Sequence, residues 1–157
     1  MSKEEEEFHI FLKSKNIHSE RQKEVSGCPF TARGKHKVDF YIPSKDLYIE
    51  IKGMMSYGSV SIFRFLREEM KLNIVLLQMN DENWMGRFDD TETRQSKRER
   101  MTRTQFDEIV SVCRGRIPVA DLVARSEQRL EEYIRLQNGS PAYWAACLRT
   151  KNTRRNW

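Results

Sequence analysis

Lys37-Val38-Asp39-Phe40-Tyr41-Ile42-Pro43-Ser44-Lys45-Asp46-Leu47-Tyr48-Ile49-Glu50-Ile51-Lys52-Gly53 is a pair of alternating runs broken by turn-forming residues, and its reading decides the fold. Successive side chains of a strand point to opposite faces. Val38, Phe40 and Ile42 are therefore expected on one face, with Asp39 and Tyr41 on the other. In the second run Leu47, Ile49 and Ile51 take the apolar face, and Tyr48, Glu50 and Lys52 share the opposite one. Pro43-Ser44-Lys45-Asp46 has the composition of a short hairpin turn. Pairing Ile42 with Leu47 sets Phe40 opposite Ile49 and Asp39 opposite Glu50, with opposed Cβ atoms about 4.5–5.5 Å apart. Two carboxylates that close repel, and a divalent cation reverses the sign: hard cations such as Mg²⁺ take a few carboxylate oxygens with waters and phosphate. Lys52 would then stand beside the ion, able to orient or deprotonate a water. The competing reading is a surface hairpin whose polar face meets only solvent. Gly53 directly after Lys52, the apolar surroundings of Glu50 and the basic run Arg33-Gly34-Lys35-His36-Lys37 weigh against it.

Upstream, Glu4 to Glu7 open a segment with Phe8, Phe11 and Leu12 at i, i+3, i+4 spacing, an amphipathic helix ending near Asn16. Its acidic first turn suits the helix dipole. Glu5 lies three residues before Phe8 and seven before Leu12, on the buried side. A further strand is expected over Ser19–Val25. Downstream, Ile62, Phe63, Phe65, Leu66 and Met70 mark a helix over Ser61–Lys71. The continuous apolar run Ile74-Val75-Leu76-Leu77 marks a strand buried on both faces. A strand, a helical crossover and another buried strand make a parallel βαβ unit, so the element order is αβββαβ in an α/β fold with a mixed sheet.

Asp39 followed by Glu50-Ile51-Lys52 resembles the motif of the PD-(D/E)XK nuclease superfamily, with Val38 where the family name puts proline. The resemblance covers roughly Lys3 to Met79. It implies a restriction-endonuclease-like core and hydrolysis of phosphodiester bonds in DNA with Mg²⁺, Mn²⁺ serving as a substitute. It implies Asp39, Glu50 and the backbone carbonyl of Ile51 as metal ligands, and Lys52 as the residue that positions the attacking water. Family members often add a metal-site glutamate from the first helix, and Glu5 is the choice for it, with Glu4 next. Phage endonuclease I-type junction resolvases are similar in the spacing of that glutamate to a downstream Leu and Ile, here Leu12 and Ile17. Branched or junction DNA is the favoured substrate because the chain is small and shows no recognisable ATPase or separate reader domain. The alternatives are an RNA endonuclease, a non-cleaving nucleic-acid-binding or assembly protein with a nuclease-like fold, and an interaction protein whose helical tail is the working part. Opposed carboxylates facing a negative backbone count against the non-cleaving reading.

With 157 residues, 28 Lys and Arg against 23 Asp and Glu, and a pI of 9.2, the chain suits one domain with an anionic partner. The positive charge is clustered in Arg94, Lys97, Arg98, Arg100 and Arg103 and again in Arg149, Lys151, Arg154 and Arg155. Such clusters are the footprint of phosphate-backbone binding or of a solvated surface. Arg33, Lys35 and Lys37 with Arg64 and Arg67 form a second candidate nucleic-acid face, and His36 is a further candidate for phosphate. Cys28, Cys113 and Cys147 fit neither a disulfide framework nor a zinc site. No apolar run approaches a membrane span and no signal peptide is visible, so a soluble, cytoplasmic protein is expected. The expected division is a nuclease core over 1–80, a charged loop over 81–103 and a helical extension over 104–157. That extension has helices from Thr104 to Cys113 and from Pro118 to Gln137, a stop at Asn138-Gly139 and a last helix over Pro141–Leu148. It could pad the sheet, form a homodimer or grip DNA.

Overall fold

Ser2 starts the chain's first helix by a reciprocal cap: its hydroxyl accepts from the Glu5 amide at 3.2 Å, and the Glu5 carboxylate accepts from the Ser2 amide at 3.3 Å. The helix, α1 (Lys3–Ser14), buries Phe8 and Leu12. A computed structural model describes residues 2–29, 31–52, 57–79 and 93–136. After α1 come β1 (Glu20–Ser26), β2 (Lys35–Ile42), β3 (Leu47–Lys52), α2 (Tyr57–Arg64), β4 (Ile74–Gln78), α3 (Arg94–Cys113) and α4 (Val119–Leu136). The strands form one sheet in the order β1-β2-β3-β4, antiparallel except for the parallel β3–β4 pair. The α/β class and the αβββαβ order therefore agree with the sequence pattern. The hairpin register also agrees, with Ile42 on Leu47 and Phe40 on Ile49. Its turn is a 3₁₀ segment, Pro43–Lys45, closed by Asp46 in the left-handed region at φ 48°, a conformation Asp tolerates better than most residues.

The sheet carries a core on each face. Leu47, Ile49, Ile51, Val75 and Leu77 face α1 and the Phe106–Val112 part of α3, where Phe8 meets Phe40 edge-on at 4.9 Å. Ile74 and Leu76 face the other way, onto Val60, Phe63 and Leu66 of the α2 region and Leu130, Tyr133 and Ile134 of α4. The apolar run of β4 is thus a strand buried on both sides, as its composition requires.

Two expectations are overturned. Val38 does not share a face with Phe40 and Ile42: it belongs to the α2-side core and they to the α1-side core. The charged stretch ending at Arg103 is not all loop, because α3 begins at Arg94, with Thr93 capping it through a hydroxyl that accepts from the Ser96 amide at 3.1 Å. The helix was hidden because its buried positions include Lys97, Thr102, Gln105 and Glu108. A polar buried face has no apolar period to read.

Those polar residues close the sheet. The Gln105 side chain accepts from the Gln78 amide and donates to the Gln78 carbonyl, both at 3.0 Å, as a neighbouring strand would. Ser126 Oγ accepts from the Leu76 amide at 2.9 Å. The α3–α4 pair therefore wraps the open edge of β4 and contributes to both cores, with Glu108 gripping Arg129 at 2.6 and 2.9 Å to join the two helices. An exposed edge is a template for unwanted pairing, and here side chains cover it. Among the described residues no helix is long and apolar enough to cross a membrane. The expected stop at Asn138-Gly139, the Pro141–Leu148 helix, the C-terminal basic block and Cys147 lie outside the described residues.

Gln105→Ala is expected to leave both Gln78 backbone groups without their partner and to cost about 1–3 kcal/mol. The urea midpoint should fall with an unchanged m-value; an unchanged midpoint would show that the edge is not held by Gln105.

Candidate active site

The site arises where β1 and β2 change phase together. Gln22 sits at φ 52°, rare for a residue with a Cβ, and the pairing register sets it across from Asp39 between the Arg21–Phe40 and Lys23–Val38 pairs. On one side of this point Arg21 lies over the Phe40 ring, 4.9 Å from its centroid, on the α1 face. On the other side Val25 and Val38 pack in the α2-side core. At the switch the Asp39 carboxylate reaches across to the neighbouring strand.

Asp39 and Glu50 then exchange bonds. The Asp39 amide donates to Glu50 Oε1 at 3.2 Å, and the Ile51 amide donates to Asp39 Oδ2 at 2.8 Å. Beyond the Phe40–Ile49 pair, carboxylates take the acceptor role that strand carbonyls hold elsewhere in the ladder. Buried backbone amides need such acceptors. The two residues are only 9% and 4% exposed, so the pair forms an enclosed interlock between strands. Ile51 contributes its amide to it, while its side chain lies in the α1-side core.

Burial, followed by the charge of Glu50, pushes the Asp39 carboxyl up to about 7, against a lowering by the Ile51 amide. Glu5 adds to the rise by hydrogen bond and by charge. The first helix therefore brings Glu5 to Asp39, as expected from its buried-side position. The same carboxylate also caps its own helix and lies 3.9 Å from an Arg21 nitrogen. The Ser2-x-x-Glu5 spacing carried the capping role in plain sight.

Around Glu50 the other oxygen is differently used. Lys52 Nζ stands 3.6 Å from Oε2, while His36 Nε2 is 3.3 Å from Oε1. These three side chains line a pocket of about 30 Å³ with Ser59, Ile62, Phe63, Leu66 and Leu76, room for a water or two beside polar partners.

No protein-family model, curated protein or solved structure matches this chain.

The site's own chemistry must therefore carry its reading. Among the described residues no group of three or more His, Cys, Asp or Glu forms a ready-made metal cage. Mg²⁺ does not need one, because it keeps several waters and uses one or two carboxylates with substrate phosphate. Two buried carboxylates whose mutual repulsion helps raise one of them to about 7 fit such an ion.

The basic residues expected to meet phosphate divide. Arg33, Lys35 and Lys37 are exposed, Lys35 pairing with Glu24 at 3.4 Å. Arg64, in contrast, is 7% exposed and paired with Glu68, and Arg67 is paired with Glu127. Arg64 is thus enclosed and Arg67 half-buried, so neither is exposed on the surface as the other three are. Arg98 donates to the Met79 carbonyl at 3.0 Å and lies 4.0 Å from a Glu7 oxygen. Arg100 and Arg103 are exposed, and Lys97 is buried. The block is thus not one uniform basic face. His36 and Arg21 are the site neighbours that alternation missed, since unbroken phase would send His36 to the face of Phe40.

Asp39 holds its proton to a higher pH folded than unfolded, 3.8 rising to about 7. Without metal, the protein is expected to lose stability as pH rises from about 4 through about 7. Asp39→Asn keeps an acceptor for Ile51 and carries no charge. In EDTA its melting temperature should exceed wild type above that window and converge with it near the acid end. A difference constant with pH would exclude Asp39 as the titrating group.

Proposed function

We propose that this chain is a Mg²⁺-dependent endonuclease with a restriction-endonuclease-like core that hydrolyses phosphodiester bonds in DNA, branched DNA being the favoured substrate. The observation that supports this most directly is the interlocked buried pair, Asp39 and Glu50, with Lys52 Nζ 3.6 Å from Glu50 Oε2. Asp39, Glu50 and the Ile51 carbonyl would hold the ion, with Glu5 beside Asp39 as the additional acidic group. When bound, such an ion supplies Lewis-acid polarisation of a phosphoryl oxygen and lowers the pKa of water.

The chain's own groups do the rest. Lys52 donates from Nζ to an attacking water and holds it against the phosphate, with the pocket beside Ser59 giving that water a place. Glu50, braced by the Asp39 amide, keeps Lys52 turned toward the site. Arg33, Lys35 and Lys37 meet the flanking phosphates, which sets the strand's path past Asp39 without selecting sequence.

Incubation with linear, nicked, flapped and four-way-junction DNA and with structured RNA tests this reading. Cleavage is expected with Mg²⁺ or Mn²⁺, none in EDTA, and none for Asp39→Ala or Glu50→Ala that remain folded by circular dichroism. Undiminished cleavage in EDTA or in either variant would overturn the mechanism. Binding without cleavage under every condition would favour the non-catalytic alternative.

Replacing Arg33, Lys35 and Lys37 together by Ala is expected to weaken duplex binding and to flatten log affinity against log salt by about 0.9 for each phosphate no longer neutralised. Single-turnover cleavage at saturating DNA should change little. A wild-type slope would remove these residues from the interface.

A further inference from the structure

We infer that His36 is a positioning residue that fixes which oxygen of Glu50 faces the site, an inference that rests on the metal-site reading of Asp39 and Glu50. Glu50 Oε1 has two partners, the Asp39 amide at 3.2 Å and His36 Nε2 at 3.3 Å. A carboxylate oxygen only accepts, so the imidazole donates from Nε2. Oε2 has a different neighbour, Lys52 Nζ at 3.6 Å. The two oxygens are therefore not equivalent: one is tied into the fold and the other is turned to the lysine.

The tie is built from the strand's phase. Lys35 and Lys37 are exposed, while His36 between them points inward with a side chain 16% exposed, into the pocket it shares with Glu50, Lys52 and Ser59. The terminal torsion of a Glu side chain is broad and roughly two-fold. A single donor at Oε1 leaves the carboxylate able to turn, and a second donor from another direction stops it. Removing the ring leaves Oε1 the Asp39 amide alone and Oε2 only the Lys52 ion pair at 3.6 Å, longer than a hydrogen bond, so the orientation of Oε2 relative to Asp39 is less firmly set. Partners that orient a metal-binding carboxylate are typically worth 10–100-fold in metal affinity.

The full-length protein separates this from a packing role. Mn²⁺ affinity is measured by calorimetry on wild type, His36→Gln and His36→Leu, with melting temperatures taken in EDTA. Glutamine places an amide N–H near the position of Nε2, and leucine fills space without a donor. His36→Leu should bind Mn²⁺ about 10–100-fold more weakly, while His36→Gln stays near wild type even if both melt alike in EDTA. If the leucine variant does not fold, His36→Asn replaces it, polar but too short to reach Oε1, with the same loss expected. Wild-type affinity in the donor-free variant overturns the inference, as does equal loss in the donor-free and Gln variants, which would make the ring itself the requirement. No Mn²⁺ binding by wild type would overturn the metal-site reading and this inference with it, a result distinct from either of the others.

Discussion

The exchange between Asp39 and Glu50 organises this molecule: each carboxylate accepts a backbone amide, one from Asp39 and one from Ile51, at the place where β2 and β3 stop pairing in the ordinary way. Neither side chain could move to the surface without orphaning a buried amide. Neither can be comfortable where it is, because both are enclosed and like-charged. Burial is the larger of the two penalties on Asp39, ahead of the charge of Glu50. Hydrogen bonding holds the pair in place, while burial and the charge of Glu50 raise the Asp39 carboxyl. Such a conflict at one point in an otherwise consistent fold is characteristic of functional sites.

The conflict is tolerable because the surroundings are stiff. The phase switch at Gln22 and Asp39 is flanked by Phe40 in one core and Val38 in the other, so the strand cannot rotate back without exposing one of them. Glu5 arrives on a helix anchored by Phe8 and Leu12, and Lys52 on a strand paired with β4. The far edge of β4 is in turn held by Gln105 and Ser126. The C-terminal helices α3 and α4 thus belong to the same packed unit as the sheet, and the carboxylate pair rests on continuous packing that reaches from α1 to α4.

How much of this was legible in the sequence depended on what each residue buries. Phe8 and Leu12, the Pro43–Asp46 turn, Leu47, Ile49 and Ile51, and the run from Ile74 to Leu77 bury apolar surface with a regular period. Element order, hairpin register and the parallel partner of β3 follow from them. Glu5, Asp39, Glu50 and Lys52 stood out because acidic and basic residues at fixed offsets beside apolar runs need a reason. The start of α3 was illegible because Lys97, Thr102, Gln105 and Glu108 bury polar atoms that find partners only across the fold.

The sequence by itself determined which side chains could form a core and which carboxylates would be neighbours, since short-range alternation and turn chemistry act within a few residues. Only the tertiary structure decided how those carboxylates face each other. The left-handed backbone at Gln22 leaves no mark in a pattern of apolar and polar letters, and neither does the placing of Val38 and Phe40 on opposite faces beside it. Tertiary structure also decided that His36 reaches Glu50 while Lys35 and Lys37 stay in solvent, because the face of His36 is set by the phase change between Val38 and Phe40. Burial then separated the basic residues, enclosing Arg64 beside Glu68 and leaving Arg33, Lys35 and Lys37 exposed, a distinction set by what packs above each one and not by its own chemistry.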